Sequence, residues 1–231
     1  MRIDKFLAQM GVGTRTEVKT LLKKGHVTIN DTIIKSPKTH IDGEQDRVCV
    51  SGKMIHYEPY VYLMLNKPAG VISATEDEQY QTVIDLITTY QHLDLFPVGR
   101  LDKDTEGLLL ITNDGQFNHR VMSPKKHVPK CYYVEAAKAI RESDIEQFKA
   151  GIHLSEGLLK PAQLTIATPE NFGYVTIHEG KYHQVKRMFH AIDNEVIYLK
   201  RVSIGSLQLD EQLALGDYRK LTSEEIALFD Q

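Results

Sequence analysis

The chain has 231 residues, 42% of them hydrophobic, and a formal net charge of −3. That size fits one large domain or two small ones and supplies enough apolar material for packed cores, which excludes a disordered chain. Two distant cysteines, Cys49 and Cys131, do not form a disulfide framework or a paired zinc site. No stretch approaches the roughly 18 apolar residues of a membrane span, and Met1-Arg2-Ile3-Asp4-Lys5 opens on charge rather than on a secretory core. A soluble monomer of the reducing cytoplasm, without membrane association, is expected.

The net charge hides an asymmetry. Residues 1–60 hold ten Lys and Arg against seven Asp and Glu, residues 61–231 hold eighteen against twenty-four, and within residues 1–40 the count is eight against three. A basic module joined to a less basic one is the pattern of a phosphate-docking surface attached to something else.

In the first segment Ile3, Phe6, Leu7 and Met10 fall at i, i+3, i+4 and i+7, one buried helical face, and Gly11-Val12-Gly13 ends it. Thr14 and Glu17 form a capping box for a second helix. Its core side is Val18, Leu21 and Leu22, and Arg15, Lys19 and Lys23 recur every four residues as a basic stripe. Residues 26–29, 33–34 and 47–50 read as short strands, with a turn at Asn30-Asp31. Ser51-Gly52 and Glu58-Pro59 bracket a linker, which divides the chain into domains 1–59 and 60–231.

The second segment predicts strands over 61–66, 107–112, 130–135, 162–167 and 173–178, and helices over 81–90, 116–121, 142–150 and 183–192. Irregular alternation without steady βαβ repeats predicts an α+β fold whose mixed sheet is largely antiparallel.

Chemistry is concentrated at Gly99-Arg100-Leu101-Asp102, a glycine-bounded loop just before an apolar strand, where a carboxylate is both held and exposed. Asp102, Asp104, Glu106 and Gly107 imitate half of a calcium loop. The imitation fails at Asn113, where a bidentate Glu belongs, and at Leu108-Leu109-Leu110, so no metal is expected. In Lys130-Cys131-Tyr132-Tyr133-Val134 the period of two puts Lys130, Tyr132 and Val134 on one face. Over 183–192, Val185, Met188, Phe189 and Ile192 keep core spacing while His183, Lys186, Arg187 and His190 make a cationic face. Such a face suits RNA phosphates or a carboxylate partner better than a metal.

Two resemblances follow from these motifs. Arg2-Ile3-Asp4-Lys5-Phe6-Leu7-Ala8, Thr14-Arg15 and Gly25-His26-Val27-Thr28-Ile29-Asn30 resemble the alpha-L (S4-like) RNA-binding module. Four ordered motifs resemble the RsuA family of pseudouridine synthases: Leu65-Asn66-Lys67-Pro68-Ala69-Gly70, Gly99-Arg100-Leu101-Asp102 with Thr105 and Gly107-Leu108-Leu109-Leu110, Lys130-Cys131-Tyr132, and Glu179-Gly180-Lys181-Tyr182-His183-Gln184-Val185-Lys186-Arg187-Met188. Tyr182-His183-Gln184-Val185-Lys186 is similar to the branch acting on small-subunit ribosomal RNA.

The resemblance implies that Asp102 is the catalytic aspartate, Tyr132 the ring that stacks on the target uracil, Lys186 the cation beside the aspartate and Arg100 an RNA-opening arginine. It implies RNA contacts by Arg2, Lys5, Arg15, Lys19, Lys23, Lys67, His183 and Arg187. Its chemistry gains and loses no group, so no cofactor is expected, and the implied partner is ribosomal RNA or the assembling small subunit. Two departures, Cys131 for a commoner Thr and Lys181 for a commoner Arg, bear on fine specificity. The alternatives are a non-catalytic RNA-binding assembly factor, a synthase of the large-subunit branch and a calcium-dependent module.

Overall fold

The structure is a computed structural model that describes residues 1–123 and 128–230. It falls into two compact units: Met1–Val61 together with Thr88–Leu95, and the remaining described residues.

The first unit begins with α1 (Ile3–Gln9) and α2 (Arg15–Lys23), followed by β1 (Val27–Ile29), β2 (Thr32–Ile33), β3 (Val48–Val50) and β4 (Lys53–Ile55). The strands form an antiparallel sheet in the order β2-β1-β3-β4. The apolar spacing of the two helices puts Ile3, Phe6, Leu7, Val18 and Leu22 into one cluster with Val27, Ile41 and Val48, each worth about 1.5–3 kcal/mol when fully withdrawn from water. At the start of α2 the Thr14 backbone N–H donates to the Glu17 carboxylate at 2.7 Å and the Glu17 N–H donates to Thr14 Oγ1 at 3.3 Å. This is the expected capping box. Ser51-Gly52, expected to open a linker, makes a hairpin turn instead. Both residues have positive φ (50° and 79°) and form the two-residue turn between β3 and β4, the geometry that matches strand twist in a tight hairpin.

The second unit contains, in chain order, β5 (Tyr62–Lys67), β6 (Phe96–Val98), β7 (Glu106–Thr112), α3 (Gly115–Met122), β8 (Lys130–Ala136), α4 (Glu142–Ala150), β9 (His153–Leu154), β10 (Gly157–Leu158), β11 (Gln163–Ile166), β12 (Phe172–Ile177), α5 (Gln184–Ala191), β13 (Val196–Ile204), β14 (Leu207–Gln208), β15 (Tyr218–Lys220) and α6 (Ser223–Ala227). Its main sheet runs β11-β12-β8-β13-β7-β5-β15, with β6 added to β7 and β14 to β13. Among the described strands the pairing is antiparallel except between β7 and β13, where Glu106 and Gly107 lie opposite Lys200 and Arg201. The fold is therefore α+β with a largely antiparallel mixed sheet.

The helix expected over 81–90 is absent. Ile72 and Thr82 form an isolated parallel bridge, and Thr82 and Asp85 exchange the hydrogen bonds of a helix start that does not continue. Six of those ten residues are β-branched (Thr82, Val83, Ile84, Ile87, Thr88 and Thr89). Their side chains lose rotamer freedom against the preceding turn, which works against a helix. Among the described residues no helix is long and apolar enough to cross a membrane.

Candidate functional site

A cavity of about 600 Å³ in the second unit is lined by Arg100, Asp102, Tyr132, His183 and Lys186, among others. Three elements build it: the loop between β6 and β7, the start of α5, and one face of the main sheet.

The loop is held from several directions. The Thr105 N–H donates to the Asp102 carbonyl at 3.0 Å, closing a turn, and the Gly70 N–H donates to the Lys103 carbonyl at 2.8 Å. Ser73 Oγ donates to the Leu101 carbonyl at 2.9 Å and accepts from the Leu101 N–H at 3.0 Å. Lys67, expected to meet RNA, is wholly enclosed at 0% exposure. Its ammonium donates to the carbonyls of Pro68 (3.0 Å), Lys103 (3.3 Å) and Thr105 (2.9 Å). This corrects the reading of the Asn66-Lys67-Pro68 motif: the lysine fastens the Asp102 loop from behind and does not reach a polyanion. Burial pushes its pKa down to about 8, a fall that the charges of Asp104, Asp102 and Glu106 oppose.

Lys186, in the first turn of α5, reaches back to the loop. Its Nζ lies 3.2 Å from Asp102 Oδ2 and 2.5 Å from Asp104 Oδ1, so the expected Lys186 pair with Asp102 is shared with a second acid. Burial works to lower the Lys186 pKa, but hydrogen bonding to Asp104 and the charge of Asp102 together raise it above the ordinary value. The same hydrogen bond from Lys186 lowers the pKa of Asp104. His183 Nε2 stands 3.6 Å from Asp102 Oδ1. His183 has φ +44° just before α5, and its ring stacks on exposed Tyr182 with centroids 3.8 Å apart. Arg187 is committed elsewhere: it donates to Glu156 at 2.7 Å and to Ser155 at 3.3 Å, which leaves less of it for the expected RNA contact. Arg100 is exposed and lines the cavity.

Along β8 the inward face carries Lys130, Tyr132, Val134 and Ala136, as the period of two predicts, while Tyr133 packs with Phe172, Tyr174 and Tyr198 on the other. Tyr132 is 8% exposed. Opposite it on β13 is Arg201, a cavity-lining residue that the sequence reading missed. Leu199, Arg201 and Ser203 alternate as buried positions, but the charged pair Lys200-Arg201 in mid-strand gives no clean alternation to read. Asp104 was missed as a partner of Lys186 because the calcium comparison absorbed it.

In the first unit Arg15, Lys19 and Lys23 are exposed along α2, as is Lys5 on α1. Arg2 donates from Nε and Nη2 to the Asp4 carboxylate at 3.0 and 2.7 Å.

The arrangement suits a reaction that needs a carboxylate held beside a cation, near an aromatic ring, in a cavity large enough for a nucleoside. A model of the RNA pseudouridylate synthase family matches residues 61–191, and a model of the S4 domain matches residues 1–48. The chain is 50% identical over 236 residues to the uncharacterized RNA pseudouridine synthase YtzG of Bacillus subtilis, covering 100% of this chain and 99% of that one. It is 46% identical to ribosomal small subunit pseudouridine synthase A of Vibrio cholerae (98% of each chain) and 39% identical to the Escherichia coli K12 protein of that name (98% of this chain, 99% of that one). A crystal structure of pseudouridylate synthase matches with a TM-score of 0.70 at 38% identity over 99% of both chains.

Proposed function

The chain belongs to the RNA pseudouridylate synthase family and is an RNA pseudouridine synthase with an S4 domain; from that premise we propose that it isomerises a uridine of small-subunit ribosomal RNA, in the cytoplasm, with Asp102 as the catalytic carboxylate. The names of the Vibrio and Escherichia relatives support the choice of RNA. The observation that carries the assignment of residues is the convergence of Asp102, Lys186 and Tyr132 on one cavity, with 3.2 Å between the first two.

The reaction breaks the bond between uracil N1 and ribose C1′, turns the freed base and rejoins it through C5. A proton leaves C5 and N1 gains one, so composition and oxidation state are unchanged. Asp102 acts on the ribose as nucleophile or base, and the Lys186 ammonium beside it favours the ionised carboxylate. A base in folded RNA must first leave its stack at a cost of a few kcal/mol. Stacking on Tyr132 and insertion of Arg100 into the vacated space offset that cost. Arg15, Lys19 and Lys23 contribute phosphate contacts remote from the reacting atoms.

The test is to treat small-subunit ribosomal RNA transcripts with the parent and with Asp102→Asn, then map pseudouridine. The parent is expected to modify one site, and the variant to lose about 10⁴-fold in rate, the scale of losing an essential catalytic group. Parental activity in Asp102→Asn removes the residue assignment. Modification confined to large-subunit RNA removes the choice of substrate.

A further inference from the structure

The sheet side of the cavity holds a second group of charges with no part in the chemistry assigned to Asp102. Arg201 is 2% exposed and Lys130 is 7% exposed, and both line the cavity beside Tyr132. The Arg201 guanidinium donates from Nε to the Leu108 carbonyl at 2.8 Å, and Nη1 lies 3.5 Å from the Tyr132 hydroxyl oxygen. Nη2 is buried with no hydrogen-bond partner among the described residues, and no described carboxylate pairs with this arginine. Lys130 donates to the Val128 carbonyl at 3.0 Å. Burial, then the nearby charge of Arg201, pushes its pKa down to about 8.

Two enclosed cations without a counter-anion cost several kcal/mol in desolvation, and a buried N–H with no acceptor adds its own penalty. Such an arrangement persists where a ligand supplies the missing charge. The cavity is polarised to match: on the loop side two acids, Asp102 and Asp104, share one lysine, and on the sheet side Lys130 and Arg201 have no paired acid among the described residues.

The substrate nucleoside is neutral when it binds and becomes polarised as it reacts. When the C1′–N1 bond breaks, its electron pair departs with the base, leaving a uracil anion whose charge spreads over N1, O2 and O4. The sugar carbon becomes electron-poor until Asp102, and later C5 of the base, supplies electrons to it. A cavity negative toward the sugar and positive toward the base is complementary to that state rather than to intact uridine.

We propose that Arg201, backed by Lys130, is a catalytic residue of this reaction: its guanidinium hydrogen-bonds a uracil carbonyl oxygen beside Tyr132 and carries the negative charge of the detached base. The proposal rests on the assignment of this cavity as the active site.

The experiment uses the full chain and two transcripts of the modified RNA, one with uridine and one with 5-fluorouridine at the target. Fluorine at C5 stabilises the departing anion, so the substituted base needs less help from the protein. Arg201→Met is expected to lower kcat on uridine RNA by about 100-fold or more, the scale of losing a preorganised donor to developing charge. Its Kd for RNA should stay within about twofold, and its deficit on 5-fluorouridine RNA, read as loss of that nucleoside from digests, should shrink about tenfold. Arg201→Lys, which keeps the charge but lacks the guanidinium fork and reaches less far, should lose about tenfold in kcat on uridine RNA and show a smaller deficit on 5-fluorouridine RNA. If Arg201→Met does not fold, the comparison of the two RNAs with Arg201→Lys carries the same test.

An equal deficit on both RNAs, or an unchanged kcat on uridine RNA, overturns the proposal while the Asp102 assignment stands. If the parent modifies no ribosomal RNA, or Asp102→Asn matches it, the site assignment falls and this proposal falls with it.

Discussion

Two sets of basic residues, one in each unit, look alike in the sequence and do opposite things in space. In the first unit Arg15, Lys19 and Lys23 stand exposed along one helix. In the second, Lys67, Lys130 and Arg201 are enclosed at 0%, 7% and 2% exposure. An exposed cation interacts with phosphates through water and ions, so its contribution is screened by salt and shared with its neighbours. An enclosed cation interacts at low dielectric with whatever is fixed beside it, so it holds a loop or meets a developing charge. Charge counts alone merge these roles; burial separates them.

The comparison breaks most sharply at Gly107. This glycine has φ +101°, and a Cβ placed there would overlap the backbone carbonyl oxygen of Arg201 across the parallel β7–β13 pair. Gly107→Ala therefore combines a left-handed backbone with a backbone collision. A loss of about 3–5 kcal/mol in unfolding free energy is expected, read by denaturant titration. Because the collision displaces the strand that carries Arg201, any folded fraction should also lose kcat. Unchanged stability would mean that β7 and β13 are not packed this closely and that Arg201 is not held where described.

Lys67 offers the next largest effect. Lys67→Met takes the ammonium donor from the carbonyls of Pro68, Lys103 and Thr105, of which Lys103 keeps the Gly70 N–H, and about 2–3 kcal/mol of stability should go with it. The loop that carries Asp102 loosens, so kcat should fall while Kd for RNA stays constant. A rise in Kd with kcat intact would restore the phosphate-binding reading. The pH dependence is independent of both. Lys67 titrates near 10.5 when unfolded and near 8 when folded, so between those values the unfolded chain binds more protons and stability rises with pH. Below pH 8 both states are charged and the burial penalty is constant. The stability advantage of the parent over Lys67→Met should therefore widen by up to about 3 kcal/mol between pH 8 and 10.5.

The contrast between the units also marks what the sequence made legible. The helices and core of the first unit follow from apolar spacing and a capping box, both local signals. So do the inward set of β8 and the helix that carries Lys186. Asp102 stood out because an acid and an arginine share a glycine-bounded loop immediately before an apolar strand. The rest depends on distant partners. Lys67 resembles any motif lysine until its three carbonyl acceptors are seen, two of them more than 30 residues away. Arg201 enters the site only through pairing of β13 with β8, and β13 was not among the expected strands. The false helix at 81–90 is a miss of another kind, local rather than distant: six β-branched residues in ten work against a helix there.

The smallest effect belongs to the exposed stripe. Neutralising Arg15, Lys19 and Lys23 together to Gln removes no buried packing, since all three side chains lie on the exposed face of α2 and the helix core is Val18 and Leu22. Stability should change by less than about 0.5 kcal/mol for each surface substitution. If these side chains meet phosphates, KM for RNA should rise about tenfold at low salt while kcat at saturation holds, because docking on phosphate is equally strong in the ground and transition states. For every phosphate no longer neutralised, the dependence of log K on log salt should become shallower by about 0.7–0.9, and at high salt the variant and parent should converge. A fall in kcat at saturating RNA would instead mean that this exposed stripe acts on the reacting centre, which would end the division between docking cations outside and catalytic cations within.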